Sequence, residues 1–151
     1  MTIKENYQKL RKQIPKHVAI IGVSKKKRAE DINQAIKAGL ENIGESYIQE
    51  ALEKMPMIDH VKKHYIGNIQ SNKVKKIVEN FDFIQSLDRI KIARLIDRES
   101  EKLKKIMPVL IQINISKEET KSGIKPEKIE DFLEKCQPFK KEKFKRTVSY
   151  I

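Results

Sequence analysis

The chain has a single cysteine, Cys136, and no tryptophan. One thiol cannot close an intramolecular disulfide or build a cysteine metal cluster. Histidine is scarce too, and His17, His60 and His64 show no metal-ligand spacing with an acidic pair. No apolar run approaches the ~20 residues that cross a bilayer. The opening MTIKENYQKLRKQ lacks the apolar core of a secretion signal, so a cytoplasmic location is expected. Glycine is sparse at five residues, and GLENIGE (39–45) lacks the second glycine and the Lys-Ser/Thr of a phosphate loop. Nucleophile-elbow and paired-carboxylate signatures are also missing.

What the chain does have is charge. Of 151 residues, 36% are charged and 38% apolar, with a net charge of +12. That composition belongs to a folded chain with a core, yet it is short for an eight-unit barrel, which takes ~250 residues. The positive charge would attract polyanions and motivates one alternative reading, a nucleic-acid-binding protein. Such proteins add clustered arginine and exposed aromatics. Here six of the 33 basic residues are arginine and 6% of the chain is aromatic. Lysine-rich solvated helix faces account for the charge, so no nucleic-acid partner is expected.

Hydrophobic periodicity alternates along the chain. HVAIIGVS (17–24) is a continuous β-branched run of the kind buried on both faces of a parallel sheet. Ile32, Ala35, Ile36 and Leu40 then follow helical spacing, with Gly39 placed to end the helix. The same alternation continues through ENIG (41–44) and the stripe Ile48, Ala51, Leu52, Met55. KHYIGNI (63–69) precedes Val74, Ile77, Val78 and Phe81, with Ser71 the expected cap. FDFIQSL (81–87) precedes Ile92, Leu95, Ile96 and Leu103, with Asp88 as the cap. MPVLIQINIS (107–116) precedes Ile129, Phe132, Leu133 and Cys136, with Pro126 at the first helical position. Strand alternating with helix implies parallel strands and right-handed crossovers. The count is about five βα units after an N-terminal helix near residues 3–13. Residues 1–139 read as one domain, and residues 140–151 as an off-pattern basic tail whose only strand-like piece is TVSYI.

Parallel α/β folds gather function at the C-terminal ends of their strands. Lys25 stands there after the first strand, where it is expected to be partly desolvated between the fold and a ligand. Desolvation favours the neutral amine, which condenses with aldehydes. Lys26, Lys27 and Arg28 would add like-charge repulsion and attract an anion. A solvated basic turn is the plain alternative. Other strand ends supply Glu45 and Ser46, then Gly67, Asn68, Gln70 and Asn72, then Ser86, Asp88 and Arg89, and finally Gln112 and Asn114. His64 precedes an apolar strand and reads as a structural hydrogen-bonder rather than a general base.

Five stretches in this order carry a resemblance: GVSKKK, AIKAGLENIGESYIQEALEK, HYIGNIQSNK, IQSLDRIKIA and VLIQINISKEETKSGI. Together they resemble the pyridoxal phosphate homeostasis protein family, single-domain proteins similar to the N-terminal barrel of alanine racemase. The resemblance covers about Ile3 to Phe139. It implies an α/β fold of the (β/α)8 TIM-barrel type, incomplete here. It also implies pyridoxal 5′-phosphate held as a Schiff base on Lys25, with Ser46, His64 and Asn114 around the cofactor. Family members are carriers that keep a reactive aldehyde available but restrained, without an established turnover, and are monomers. A racemase-like enzyme, the other alternative, would need a second base that the sequence does not supply.

Two departures bear on these expectations. The family usually reads Gly-Glu-Asn-Tyr where this chain has Gly44-Glu45-Ser46-Tyr47, and serine has the shorter hydrogen-bonding arm. The family also continues for three more strands, where the resemblance places the phosphate cradle. A truncated chain is therefore expected to bind the cofactor less tightly. Charge-assisted hydrogen bonds contribute roughly 1.5–3 kcal/mol each, so losing two or three costs about three orders of magnitude. Strands one and five are expected to become open edges, which invite self-association.

Overall fold

In the computed structural model, residues 1–116, 120–140 and 146–150 are described, residue 140 and the last five through their backbone. Residues 117–119 of the fifth motif, and 141–145 and 151 of the expected tail, lie outside the described residues. The chain forms two compact units, Met1–His64 and Tyr65–Ile151.

The first unit opens with a helix, α1 (Ile3–Gln13), fixed at its start by a capping box between Thr2 and Glu5. Strand β1 (Ile21–Val23), helix α2 (Ala29–Lys37), strand β2 (Asn42–Glu45) and helix α3 (Ile48–Lys54) follow, and β3 (Lys62–Tyr65) ends at the unit boundary. β1 and β2 run parallel, with Ile21 opposite Asn42 and Val23 opposite Gly44. Gly39 ends α2 in the left-handed region, φ +109°, while Ala38, Gly39 and Leu40 donate back to helix carbonyls. Only Gly tolerates that conformation without steric cost. The Tyr7 hydroxyl donates to the Gly39 carbonyl at 2.9 Å, tying α1 to this turn.

Ile32, Leu40, Ile43 and Val61 form the core of this unit, with Tyr7, Ile20, Ala35, Ile36 and Ile58 packed around them. Side chains alternate across a strand, so this core identifies the two faces of β1 and β2. A Cβ on Gly22 would lie 2.6 Å from Leu40 Cδ2, which puts Gly22 and Ile43 on the helix-covered face. Ile21, Val23, Asn42 and Gly44 occupy the other.

The second unit contains α4 (Val74–Asn80), β4 (Phe83–Leu87), α5 (Ile90–Lys102), β5 (Val109–Ile113), α6 (Ile129–Lys135) and β6 (Arg146–Tyr150). β5 pairs in parallel with β4, with a register irregularity between Ile84 and Leu87. It also pairs in parallel with β6, from Val109 opposite Arg146 to Ile113 opposite Tyr150. The residues read as an off-pattern tail thus include a sixth strand that continues the parallel plan, and β5 is flanked rather than an edge. Val74, Ile77, Val78 and Phe81 are all buried, as their spacing predicts.

Three local expectations are corrected. α5 begins after Arg89, not Asp88, and has no side-chain cap; the Asp88 carboxylate instead accepts from Arg89 Nε at 2.9 Å. Ser71 starts a single 3-10 turn, Ser71–Lys73, and does not cap α4. α5 turns Glu99 and Ser100 inward and leaves Leu103 exposed.

Candidate functional site

At the C-terminal ends of β1 and β2 the chain builds a buried polar knot. Ser24 is buried; its N–H donates to the Gly44 carbonyl at 3.0 Å, continuing the β1–β2 pairing. Ser24 Oγ donates to Glu45 Oε1 at 2.6 Å. Glu45 is 1% exposed, and its Oε1 also takes an ion pair from Lys54 Nζ at 2.6 Å. Lys54 Nζ donates further to the Ser24 carbonyl at 2.7 Å and to Glu50 Oε1 at 2.8 Å. A buried charge is stable only when paired and hydrogen-bonded, and here one ammonium meets two carboxylates and a carbonyl. Glu45 Oε2 is buried with no partner among the described residues.

This knot lies on the helix-covered side of β1 and β2. The turn above it carries Lys25, Lys26 and Lys27. The Lys26 N–H donates a short hydrogen bond to Glu50 Oε1, and Lys26 itself is in the left-handed region, φ +59°. Glu50 is held below the ordinary carboxylate range, mainly by its hydrogen bond from Lys54, and by the Lys26 N–H. Lys25 follows β1 in the turn closed by the Lys27 N–H on the Ser24 carbonyl at 3.1 Å, and Ser46 follows β2 directly.

Lys25 is exposed, and none of the described hydrogen bonds or ion pairs engages its ammonium. The expectation of a desolvated amine is corrected for this chain. Val23, at the end of β1, is also exposed, at 53%. Ser46 is half-buried. His64 is buried on β3, its ring Nε2 3.0 Å from Asn42 Oδ1. That contact makes it a structural hydrogen-bonder. Within the first unit, His64 lies on the strand face that carries Asn42, while Lys25 and Ser46 stand just past the C-terminal ends of β1 and β2. A cleft of about 640 Å³ lined by Tyr7, Arg11, His17 and Glu41 belongs to the opposite, N-terminal ends of these strands.

Asn114 is in the second unit, just past β5, and is buried. Its amide donates to the Lys121 carbonyl at 3.2 Å and accepts from Ser116 Oγ at 3.1 Å. Its N–H donates to the Ile124 carbonyl at 2.9 Å. These bonds tie down the loop after β5. The loop after β3 is held in a comparable way. Arg89 donates to Asn68 Oδ1 at 3.1 Å and to the Ile69 carbonyl at 2.6 Å, and Ser86 Oγ donates to the Gly67 carbonyl at 2.5 Å.

Sequence reading passed over Ser24, Glu50 and Lys54. The signal was faint. Glu50 and Lys54 form an (i, i+4) pair of a kind that is usually solvated, and nothing in the pattern indicates that Lys54 is buried. No group of three or more metal-ligating side chains occurs among the described residues, and no helix there is long and apolar enough to cross a membrane.

Comparison with known proteins places this geometry. A pyridoxal phosphate homeostasis protein of Pasteurella multocida (strain Pm70) is 40% identical, over 91% of this chain and 65% of its own length. The structure of PipY from Synechococcus elongatus PCC7942 without PLP superposes with a TM-score of 0.90 at 30% identity, covering 99% of this chain and 70% of that one. The PLP-bound PipY structure gives 0.88 at the same identity and coverage. The chain spans 49–65% of the length of the curated relatives first matched. Its architecture is α/β, of the (β/α)8-barrel type and incomplete. Residues 1–150 match the family described as alanine racemase, N-terminal domain, and the chain belongs to that family.

Proposed function

We propose that this chain is a cytoplasmic pyridoxal 5′-phosphate binding protein serving cofactor homeostasis, with Lys25 as the residue that holds the cofactor. The single observation that carries the reading is the position of Lys25. It is an accessible primary amine just past the C-terminal end of β1, beside the end of β2 that Ser46 follows, in a turn braced from below. PipY, similar over 99% of this chain, was solved with PLP bound.

The donor set fits the cofactor's aldehyde. When bound, the group supplies a carbonyl carbon open to amine attack. Lys25 would hold the group through Nζ, the nucleophilic amine that this chemistry needs. Lys26 and Lys27 would favour an anionic ligand by charge. Ser46 would orient polar ring substituents, and His64, fixed by Asn42, would shape the floor of the site.

A carrier without turnover is the form of this reading that the residues favour. In the first unit the buried histidine His64 is already bonded to Asn42, which suits a structural role better than that of a second base. Three of the six arginines are engaged by the fold itself. Arg11 donates to three backbone carbonyls, Arg28 pairs with Asp31, and Arg89 is committed to the Asn68–Ile69 loop.

The test is an absorption spectrum of the purified chain with added pyridoxal 5′-phosphate, followed by borohydride trapping and peptide mass mapping. Label on Lys25, lost in Lys25→Ala, is the expected result. An imine band that survives Lys25→Ala, or fails to form at all, overturns the assignment.

A further inference from the structure

The peptide groups on both sides of Lys25 are held by one helix. Lys54 Nζ of α3 donates to the Ser24 carbonyl at 2.7 Å, and Glu50 Oε1 of α3 accepts the Lys26 N–H. The two side chains are joined to each other at 2.8 Å, and Lys54 is anchored below by Glu45. Between these two points the backbone has little freedom, and the left-handed Lys26, φ +59°, is a conformation that a non-glycine residue keeps only when its surroundings enforce it.

We propose that Glu50 and Lys54 are positioning residues: together they clamp the Ser24–Lys26 backbone so that Lys25, rather than Lys26 or Lys27, presents its amine to the aldehyde. This rests on the reading of Lys25 given above. It assigns a role to two residues that touch neither the amine nor any ligand. Three adjacent lysines have similar intrinsic reactivity as solvated amines, so the selection among them has to come from geometry. The clamp supplies it by pinning the residues before and after one of them.

The experiment uses the whole chain and two variants, Glu50→Ala and Glu50→Gln. Gln keeps an oxygen that can accept from Lys26, so it is the conservative rescue, and Glu50 is partly exposed, which lets both variants fold. The first readout is amide hydrogen exchange. The Lys26 N–H is expected to be protected in the wild type, to exchange faster in Glu50→Ala, and to regain protection in Glu50→Gln, while the Ser24 N–H bonded to Gly44 stays protected throughout. The second readout is the site of pyridoxal 5′-phosphate trapped by borohydride. Losing a charge-assisted hydrogen bond should lower the Lys25 imine equilibrium about tenfold and spread the label onto Lys26 and Lys27.

An imine that forms on Lys25 in Glu50→Ala with the wild-type equilibrium constant overturns the clamp and leaves the cofactor reading standing. An unprotected Lys26 amide in the wild type overturns it as well. A protected Lys26 amide in a wild type that forms no imine overturns the cofactor reading, and the positioning role with it.

Discussion

Lys54 Nζ lies 2.6 Å from Glu45 Oε1, with the two side chains 8% and 1% exposed. A lysine near the end of a short helix is thus an internal strut joining α3 to the ends of β1 and β2. The relationship has a direct energetic consequence. Removing one partner leaves a buried charge uncompensated, at a cost of about 3–5 kcal/mol. Lys54→Met is expected to lower the urea midpoint accordingly. The double variant Glu45→Leu/Lys54→Met should recover much of that loss, since apolar replacement of a buried pair is often neutral. A double variant as unstable as Lys54→Met would show that the packing, not the charge, is at fault.

Acid should weaken the Glu50–Lys54 pair and the Glu99 cluster. Glu50 is held below the ordinary carboxylate range chiefly by its hydrogen bond from Lys54. Glu99 is lowered chiefly by Lys102 and further by Arg98. A carboxylate whose folded pKa is depressed adds stability that is present above its unfolded value, about 4.3 for glutamate. That stability is lost as pH falls through the folded value. The urea midpoint of the wild type should therefore drop below roughly pH 4, and the drop should be shallower in Glu50→Gln.

Glycine substitutions should separate strain from collision. Gly39 has φ +109°, and a Cβ there would meet only Tyr7 Cε1 at 3.5 Å. Gly123 has φ +125°, and a Cβ would fall 2.8 Å from the Asn114 nitrogen and 3.0 Å from the Ile113 carbonyl carbon. Backbone strain of this kind costs about 1–3 kcal/mol. Gly39→Ala should pay that alone, whereas Gly123→Ala should cost more, because the clash is with backbone. Equal midpoints for the two variants would contradict the geometry.

Cys136 is 1% exposed, so its thiol should react slowly with a thiol reagent under native conditions and rapidly in urea. The native rate then reports opening around α6. Rapid native labelling would place Cys136 on an accessible surface.

Arg89→Ala removes donors to Asn68 Oδ1 and the Ile69 carbonyl. Because Arg89 is half exposed, the loss of stability should be modest, about 1 kcal/mol. The sharper readout is faster hydrogen exchange in residues 67–69 than in the neighbouring strands.

Much of this molecule was legible in the residues. VLIQI at β5 could be read because it is long and β-branched, and Val74, Ile77, Val78 and Phe81 because helical spacing and burial coincide. Gly39 was legible because glycine is the residue favoured at a left-handed helix stop. The position of Lys25 at a strand end followed from the same alternation. Other features depended on partners remote in sequence. Eight residues, 17–24, read as a strand, but only Ile21–Val23 qualify, since a ladder extends only where a neighbour supplies hydrogen bonds. Met55 and Leu103 fit apolar stripes, yet the fold buries Lys54 and Glu99 in their helices, because ion pairs make burial of charge tolerable. TVSYI read as strand-like but outside the repeating plan, because parallel pairing is specified by the strand beside it and not by its own short run. Composition and periodicity determined which segments become strands and helices. Which lysine is buried, which is exposed, and which peptide groups are clamped were decided by tertiary structure, because desolvation and hydrogen bonding depend on groups that the chain brings together only when folded.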